Sequence, residues 1–353
     1  MSVKFGIYSS LSPFSKILET SKLAEKYGFD SVWLGDHVLL PFTPPDCLEV
    51  WTTFGAIARE TKELKLGVGV TDPVRKNPAV LAQTATTLDI VSNGRLIMGI
   101  GPGEAMNLDP FGISWEKPVT RMREAVEIVK RLWCGDEVNY DGEFYKLTNA
   151  YLRPKPVQKP HPPIWMAANS ERTLRLAGEL ADGWLPFRTS LETLRRDLNV
   201  VRLHAEKAGR NIEEIMIAPH MFTSISTDRD IARKAIARAR FYLLLSPKRL
   251  EQMGYPVPTY EFDFSRVIYS PKIEKGIMEK IEEIPIEAAE KVAVWGTPDD
   301  CIDRFEKYIQ AGATYFPLMV LQTLGYWGPP EKEFEKAIKL IGNKVLPYFR
   351  EKD

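Results

Sequence analysis

The chain has 353 residues, of which 44% are hydrophobic and 27% are charged, so it can build both a packed core and a well-solvated surface. Its 47 lysine and arginine residues balance 47 aspartate and glutamate residues. This balance gives no general electrostatic attraction to nucleic acid or to an anionic membrane surface, and we expect neither as a partner. Any recognition of anions must therefore be local.

The amino terminus and the cysteines both favour a cytoplasmic protein. The first ten residues, MSVKFGIYSS, enter a strand-like run without the apolar segment of a signal peptide. No stretch approaches the roughly 18 apolar residues of a transmembrane helix. The three cysteines, Cys47, Cys134 and Cys301, lie far apart and lack the spacing of a metal site. We expect them to be reduced, with no metal bound.

Eight short β-rich runs alternate with amphipathic helical segments, which is typical of parallel strands joined by crossover helices. Their number and order favour an α/β fold of the closed (β/α)8 TIM-barrel type over an open doubly wound sheet. We expect one domain over residues 1–353, with insertions at about 139–162 and 243–285. The predicted strands lie near Val3 to Tyr8, Ser31 to Gly35, Lys65 to Val70, Leu96 to Ile100, Pro163 to Ala167, Gly183 to Pro186, Ile215 to Phe222 and Thr314 to Val320.

Helix boundaries and the first insertion also have local signals. Apolar residues at helical spacing predict a helix over Ser15 to Tyr27, ending at Gly28, and another after Pro78 that ends near Gly94. Asp141-Gly142 favours a β-hairpin in the first insertion. The second insertion mixes prolines, tyrosines and charges, and we expect it to form a lid over the barrel mouth.

Two strand ends carry candidate acid–base residues. Asp36 and His37 follow the second predicted strand, and Glu104 follows the fourth. A histidine exchanges protons near neutral pH, and a partly desolvated carboxyl can do so too, so both residues are candidates for general acid–base catalysis. Asp36 could orient the imidazole or bind a cofactor. Taken alone, His37 could equally be an ordinary loop histidine, and Glu104 a first-turn helix residue.

The motifs around these residues resemble a known family. Asp36-His37, Gly69-Val70-Thr71-Asp72-Pro73 and Gly101-Pro102-Gly103-Glu104-Ala105-Met106-Asn107 resemble the bacterial luciferase-like superfamily, in the branch that uses the deazaflavin coenzyme F420. The resemblance runs from about Val3 to Leu321. It implies a luciferase-like TIM barrel, a homodimer, and an F420-dependent oxidoreductase. Such an enzyme transfers a hydride between deazaflavin C5 and an alcohol, a sugar or a pterin-type small molecule.

The resemblance also implies roles for single residues. In the family, the histidine that corresponds to His37 lies beside the deazaflavin ring and the substrate. The glutamate that corresponds to Glu104 works near the ring nitrogen that gains a proton on reduction. These two residues are therefore the expected catalytic pair, while Asp36 and Asn107 are expected to bind the cofactor.

Two backbone segments are expected to complete the cofactor site. The family signature implies a cis peptide bond between Gly69 and Val70 behind the ring, followed by Thr71. The residues Ala167, Ala168, Asn169 and Ser170 match the F420 phosphate site, since they lead into a helix with free N–H groups. Charged residues considered for the acidic tail of the coenzyme are Arg75, Lys76, Arg172 and Arg175.

Two other functions stay open on the sequence. An FMN-dependent luciferase-like monooxygenase would share the fold and bind FMN, and a non-catalytic flavin-binding protein would keep the barrel without turnover. No Rossmann or P-loop glycine pattern occurs. Of the remaining histidines, His161 and His204 read as loop and helix-surface residues, whereas His220 either reaches the mouth or packs in the core.

Overall fold

A computed structural model describes residues 3–40, 46–259, 271–322 and 331–351. Its centre is a curled sheet of ten strands in which every pairing is parallel. A separate antiparallel hairpin consists of β5 and β6. The strands are β1 Lys4–Tyr8, β2 Ser31–Leu34, β3 Lys65–Thr71, β4 Leu96–Ile100, β5 Val138–Asp141, β6 Lys146–Ala150, β7 Ile164–Ala167, β8 Gly183–Leu185, β9 Met216–Ile217, β10 Met221–Ile225, β11 Ala293–Gly296 and β12 Tyr315–Val320.

Helices connect these strands, as the alternation of the sequence predicts. The α-helices are α1 Phe14–Lys26, α2 Val50–Glu60, α3 Pro78–Val91, α4 Pro118–Cys134, α5 Glu171–Leu180, α6 Leu191–Lys207, α7 Arg229–Ile236, α8 Ala239–Leu244, α9 Pro247–Gln252, α10 Pro271–Ile281, α11 Ile286–Lys291, α12 Pro298–Gln310, α13 Glu331–Leu340 and α14 Leu346–Glu351. Short 3₁₀ turns cover Ala105–Asn107, Asp109–Phe111 and Ile212–Glu214, and a π-helical turn covers Ile341–Val345.

The sheet order is β11-β10-β12-β1-β2-β3-β4-β7-β8-β9, which confirms an α/β fold built on parallel strands. The seventh predicted strand is divided in two. Its first part, β9, pairs with β8, and its second part, β10, pairs with β12 and β11. A single uninterrupted run over Ile215 to Phe222 is therefore wrong, because the chain changes neighbours there.

The strand β11 has no counterpart among the predicted strands. It has four residues, Ala-Val-Trp-Gly, and lies between the charged helices α11 and α12. So short a run gives little periodicity to detect.

Both helix ends predicted from glycines are found within a residue or two. Helix α1 buries Ile17 and Ala24 and is followed by Gly28, whose φ of 78° lies in the left-handed region that glycine favours. Helix α3 starts with Pro78 directly after the capping side chain of Asn77. These local signals fix where the connections between β1, β2, β3 and β4 begin and end.

The two predicted insertions have different structures. The first contains the hairpin of β5 and β6, and the Glu124 carboxylate of α4 accepts hydrogen bonds from the backbone N–H groups of Glu143, Phe144 and Tyr145 in its turn. The second includes α8, α9 and α10, and its residues 260–270 lie outside the described residues. Phe222 and Phe241 belong to one apolar cluster that packs this region against the sheet.

The two faces of the sheet carry separate apolar clusters. Alternate residues such as Val32 and Leu34 pack against the surrounding helices. The residue between them, Trp33, points to the opposite face and packs with Trp165 and Tyr315. This second, aromatic cluster fills the concave side of the sheet beneath the strand ends.

None of the helices in the described residues has the length and apolar character needed to cross a membrane. No group of three histidine, cysteine or carboxylate side chains in the described ranges is arranged to hold a metal ion.

Candidate active site

The predicted site residues meet at one edge of the sheet. Because all its strands are parallel, the loops after β2, β3, β4, β7 and β8 leave from the same edge. Three groups of contacts form there: one around His37, one around Asp36, and one beneath the Gly69–Val70 peptide.

His37 lies between two residues that come from the loop after β4. Its Nδ1 is 3.1 Å from Nδ2 of Asn107 and 3.5 Å from a carboxylate oxygen of Glu104. The His37 side chain is 25% exposed and that of Glu104 is 53% exposed, so both are open to a ligand. The carboxyl of Glu104 is therefore less desolvated than the sequence suggested.

The amide of Asn107 is held in one orientation. Asn107 is buried, and its Oδ1 accepts hydrogen bonds from the backbone N–H groups of Val38 at 2.7 Å and Leu39 at 3.1 Å. Its NH2 group must then face His37, where it donates to Nδ1. This arrangement favours the neutral His37 tautomer that carries its proton on Nε2. The structure thus gives Asn107 a partner, His37, that the sequence did not predict.

Asp36 is buried and held by three residues of the β3–α3 segment. Its carboxylate accepts a 2.5 Å hydrogen bond from the Thr71 hydroxyl, contacts Lys76 Nζ at 3.1 Å and lies 3.2 Å from Nη2 of Arg75. Burial opposes its ionisation, but the attraction of Arg75 and Lys76 and the hydrogen bonds outweigh burial and lower the pKa of Asp36. Asp36 is thus an anion that fixes the loop, and its carboxylate has no described contact with His37.

The cations considered for the coenzyme tail already have protein partners. Arg75 bridges Asp36 and Asp72, and Lys76 bridges Asp36 and Glu49. On α5, Arg175 pairs with Glu179, and Arg172 donates to the Thr120 hydroxyl. Of these four residues, Arg75 is the least available to an anionic ligand, since its side chain is only 10% exposed.

The peptide bond between Gly69 and Val70 is cis, as the resemblance implies. The pairing of β3 with β4 loses its regular register between Val68 and Thr71, which is where this bond lies. The Val70 side chain packs on Gly99 of β4 and on Gly101 directly after it, where an added Cβ would come within 3.0 Å and 2.7 Å of it. The bulge is therefore seated on a strand whose glycines leave room for it.

A buried pair of side chains lies beneath this bulge. The Tyr8 hydroxyl, at the end of β1, is 2.9 Å from Nε2 of His220, and any Cβ on Gly69 would collide with that hydroxyl. Burial and, secondly, the charge of Arg188 lower the pKa of His220 to about 3, so it is neutral at physiological pH. Burial also raises the pKa of Tyr8 well above its ordinary value. His220 therefore takes the buried packing role, one of the two that the sequence left open.

Sequence reasoning did not identify Tyr8, Phe187 or Arg188 as site residues. The signal that singled out Asp36 and His37, a position at the carboxyl end of a strand, also applies to all three. Tyr8 is the last residue of β1, and Phe187 and Arg188 follow β8. Phe187 contacts the His220 ring at a centroid distance of 5.5 Å, which joins this loop to the buried pair.

The predicted phosphate segment is partly occupied by its own hydrogen bonds. The backbone N–H groups of Asn169 and Ser170 both donate to the Thr173 hydroxyl, and the Ser170 side chain caps α5. The Asn169 side-chain oxygen accepts from the Phe187 N–H and from Arg249. The N–H groups of Asn169 and Ser170 are therefore engaged within the chain, whereas the expectation from the sequence concerned the N–H groups of the helix that follows.

Ala167 and Ala168 shape the same segment. Ala167 ends β7, and the buried Ala168 accepts a hydrogen bond from Trp184 through its backbone oxygen. Both side chains are single methyl groups, so they add little bulk beside the amino terminus of α5. The first residues of α5 itself keep the orphan N–H groups of a helix start.

Comparison with known proteins adds a family to this geometry. The family model described as luciferase-like monooxygenase matches residues 3–315. A 5,10-methylenetetrahydromethanopterin reductase from Methanolobus tindarius is 32% identical over 345 residues, covering 97% of this chain and 99% of the reductase. An F420-dependent glucose-6-phosphate dehydrogenase from Nakamurella multipartita is 30% identical, covering 99% of this chain and 97% of the dehydrogenase.

A solved structure gives the same result for the fold. The coenzyme F420-dependent tetrahydromethanopterin reductase from Methanopyrus kandleri matches with a TM-score of 0.82 and 27% identity, over 99% of this chain and all of the reductase chain. The chain therefore belongs to the luciferase-like monooxygenase family, and it is similar over nearly its whole length to relatives that are F420-dependent oxidoreductases.

Proposed function

We propose that this protein is an F420-dependent oxidoreductase that acts on a small molecule. The observation that carries the proposal is the cluster of His37, Glu104 and Asn107 beside the cis Gly69–Val70 peptide. This cluster offers two groups that can exchange protons and one group that orients them. The named relatives with F420-dependent activities support the choice of this cofactor.

The residues present fit such a cofactor. Ser9 Oγ, at the carboxyl end of β1, is buried without a hydrogen-bond partner among the described residues, which leaves a polar group for a ligand to satisfy. The first turn of α5 would receive the phosphate. Gly69, Val70 and Thr71 would support the ring from behind. When bound, the deazaflavin would supply the hydride donor or acceptor at C5.

The proton chemistry falls to His37 and Glu104. With Nδ1 accepting from Asn107, His37 presents Nε2–H, which can donate a hydrogen bond to a substrate oxygen. The Glu104 side chain is exposed to solvent, with which it can exchange protons, and its carboxylate lies 3.5 Å from Nδ1 of His37. The pair can therefore hold and move the proton that accompanies hydride transfer to or from an alcohol carbon.

Closure of the sheet into an eight-stranded barrel is part of the proposal. The backbone N–H of Thr314 donates to Ile217 O at 2.9 Å, and Phe187 bridges to His220. These contacts link β8, the β9–β10 segment and the start of β12. The β9–β10 segment is continuous in sequence and therefore brings the two ends of the sheet close to each other. We regard residues 1–353 as one such domain.

A homodimer is also proposed, through the outer face of α3. This helix exposes Val80, Ile90 and Val91, and its single charged residue, Asp89, is buried. An exposed face without charge is typical of a subunit interface. Sedimentation of wild type and Val80→Glu would test it: we expect a dimer that dissociates in the variant, whereas a monomeric wild type would contradict the proposal.

The free cysteines agree with a cytoplasmic location.

The decisive test of function is a parallel fluorescence titration of the purified protein with F420 and FMN. We expect tight F420 binding and weak FMN binding. The opposite preference would move the protein to the FMN-dependent monooxygenases, and binding of neither would contradict the proposal.

Two variants test the assigned chemistry. His37→Asn and Glu104→Gln should bind F420 within a few-fold of wild type but lose on the order of 10²–10⁴ in turnover with an active alcohol, sugar or pterin substrate. Glu143→Gln is a matched control. Glu143 lies in the hairpin turn, and its exposed carboxylate pairs with Lys117, which directly precedes α4. Loss of F420 binding in both site variants would instead point to purely structural roles.

A further inference from the structure

Arg188 is an unusual residue in the loop after β8. Its backbone adopts φ 57°, in the left-handed region that a non-glycine residue enters at a cost. Its guanidinium lies 4.5 Å above the Phe187 ring and donates one hydrogen bond, from Nη1, to the Ser246 hydroxyl. Its Nε is buried and has no hydrogen-bond partner in the part of the chain that the structure describes. The fold thus holds a guanidinium in place with part of its donor set unused.

Among the described residues Arg188 also lacks a carboxylate partner, unlike Arg75 and Arg249 nearby. Arg75 pairs with Asp36 and Asp72, and Arg249 pairs with Asp197 at 3.1 Å. For Arg188, no carboxylate oxygen of the described residues lies within the 4.0 Å of an ion pair. Burial lowers the pKa of Arg188 to about 10, with partial compensation from Glu104, so it stays charged at neutral pH. A partly buried cation without a counter-ion is costly.

The side chains packed around Arg188 are mainly aromatic. Phe187 contacts the Tyr242 ring at 5.9 Å and the His220 ring at 5.5 Å. His220, hydrogen-bonded to Tyr8, is neutral. The charged neighbours that Arg188 senses are Glu104 of the candidate active site and Arg249. Arg188 is therefore a single positive charge on an aromatic wall next to the candidate catalytic pair.

We propose that Arg188 anchors an anionic group, a carboxylate or a phosphate, of the substrate. This inference rests on the proposed oxidoreductase function. The planar fork of a guanidinium pairs with two oxygens of either group, and both Nε and Nη2 are without described partners. The substrate would lie across Phe187 and Tyr242, with its reacting carbon toward His37 and Glu104.

The same anionic chemistry could come from the phosphate of the cofactor. The polar atoms between α5 and this loop are already engaged, since Asn169 Oδ1 joins the Phe187 N–H to Arg249. Arg188 instead lies 4.5 Å over the Phe187 ring, which contacts the His220 ring of the buried pair at 5.5 Å, away from the α5 amino terminus. We therefore assign Arg188 to the substrate.

The experiment is calorimetric titration of inorganic phosphate into F420-loaded protein, in which the cofactor occupies its own phosphate site. Wild type should bind phosphate, Arg188→Gln should bind it at least tenfold more weakly, and Arg188→Lys should lie between them. Arg233→Gln, at an exposed arginine paired with Glu290, should match wild type. The affinity of each variant for F420, measured by fluorescence, should stay within a few-fold of wild type.

Three results would overturn the assignment. The first is equal phosphate binding by Arg188→Gln and wild type, and the second is no phosphate binding by F420-loaded wild type. The third is a tenfold loss of F420 affinity in Arg188→Gln, which would show that Arg188 binds the phosphate of the cofactor. Failure of wild type to bind F420 would instead contradict the proposed function, and titration of the apoprotein would then decide the role of Arg188. Thermal melting of both variants separates these results from loss of folding.

Discussion

The side-chain NH2 of Asn107 lies 3.1 Å from Nδ1 of His37, while Oδ1 of the same amide accepts the N–H groups of the two residues that follow His37. Asn107 thereby holds the backbone after His37 in place and also fixes which ring nitrogen of His37 carries the proton. Since a histidine that donates from Nε2 and one that accepts there perform opposite tasks, Asn107 decides which task His37 can perform.

The first prediction follows from this contact. In Asn107→Ala, Nδ1 of His37 loses its donor, so we expect a mixture of tautomers and a fall in turnover of roughly tenfold to a hundredfold, comparable to the loss of other groups that orient histidines. Nitrogen-15 NMR shifts of His37 would report the tautomer directly. Asn139→Ala, at an exposed position on the hairpin, is the control. An unchanged Nε2–H tautomer in Asn107→Ala would contradict the assigned role.

The second prediction concerns Asp36. In Asp36→Asn, Arg75 and Lys76 keep their burial but lose a carboxylate whose side chain is only 2% exposed, so we expect a loss of about 3–5 kcal/mol in the free energy of unfolding at pH 7. The pKa of Asp36 is lowered in the fold. Its contribution is therefore complete above the ordinary aspartate pKa near 4 and is lost as the pH falls through the lowered value.

Urea unfolding at several pH values measures both effects. Asp141→Asn, at an exposed carboxylate paired with Lys146, should leave the midpoint unchanged. If Asp36→Asn were as stable as wild type at pH 7, the buried ion cluster would not stabilise the loop.

The third prediction uses the pKa of His220. The folded protein keeps this histidine neutral down to about pH 3, whereas the unfolded chain binds a proton near pH 6.5. The unfolded state thus binds more protons between these values, and stability decreases as the pH falls through that window. Between pH 7.5 and 4.5, His220 should account for about 2–3 kcal/mol of the decrease.

The His220→Asn variant removes this term. It should be less stable than wild type at pH 7.5, because the hydrogen bond with Tyr8 is lost, and the difference should narrow at pH 4.5. His204→Gln, on helix α6, should retain the wild-type pH dependence. If the difference in stability between His220→Asn and wild type stayed constant across this range, His220 would take up its proton as readily in the folded protein as in the unfolded chain, which would contradict the prediction.

The sequence allowed most of the fold to be predicted where local patterns are strong. The strands β1 to β4 are apolar runs closed by turn residues, and their bounds were predicted within a residue or two. The division of β9 from β10 was not predictable, because it reflects a change of neighbouring strand and not a change in the residues themselves. Pro78 and the two glycines that mark α1 and α3, Gly28 and Gly94, act locally, so these helix boundaries could be predicted directly from the sequence.

The candidate site was predictable as a location more than as a set of contacts. Position at strand ends identified His37 and Glu104, which the fold places 3.5 Å apart. Asp36 contacts Arg75 and Lys76, which lie 39 and 40 residues further along the chain, so these contacts depend on the path of the loop after β3. The hydrogen bond between Tyr8 and His220 joins residues 212 positions apart, for which a single sequence holds no signal.

The last prediction concerns the space beneath His37. An added Cβ on Gly35 would lie 2.9 Å from Cδ2 and 3.2 Å from Nε2 of the His37 ring, and 3.8 Å from the Gly69 backbone oxygen. The ring is a side chain that can rotate, so Gly35→Ala should displace it and break its contact with Asn107 without a large loss of stability. We expect turnover to fall at least tenfold with a melting temperature close to wild type.

Gly55→Ala is the matched control for this change. Gly55 lies within α2, and an added Cβ meets nothing within 4 Å, so the variant should keep full activity and gain up to about 1 kcal/mol from helix propensity. Kinetics and thermal melting of the two variants separate the two outcomes. If Gly35→Ala instead unfolded at a much lower temperature while its remaining folded fraction stayed fully active, Gly35 would serve the packing of the strand end and not the placement of His37.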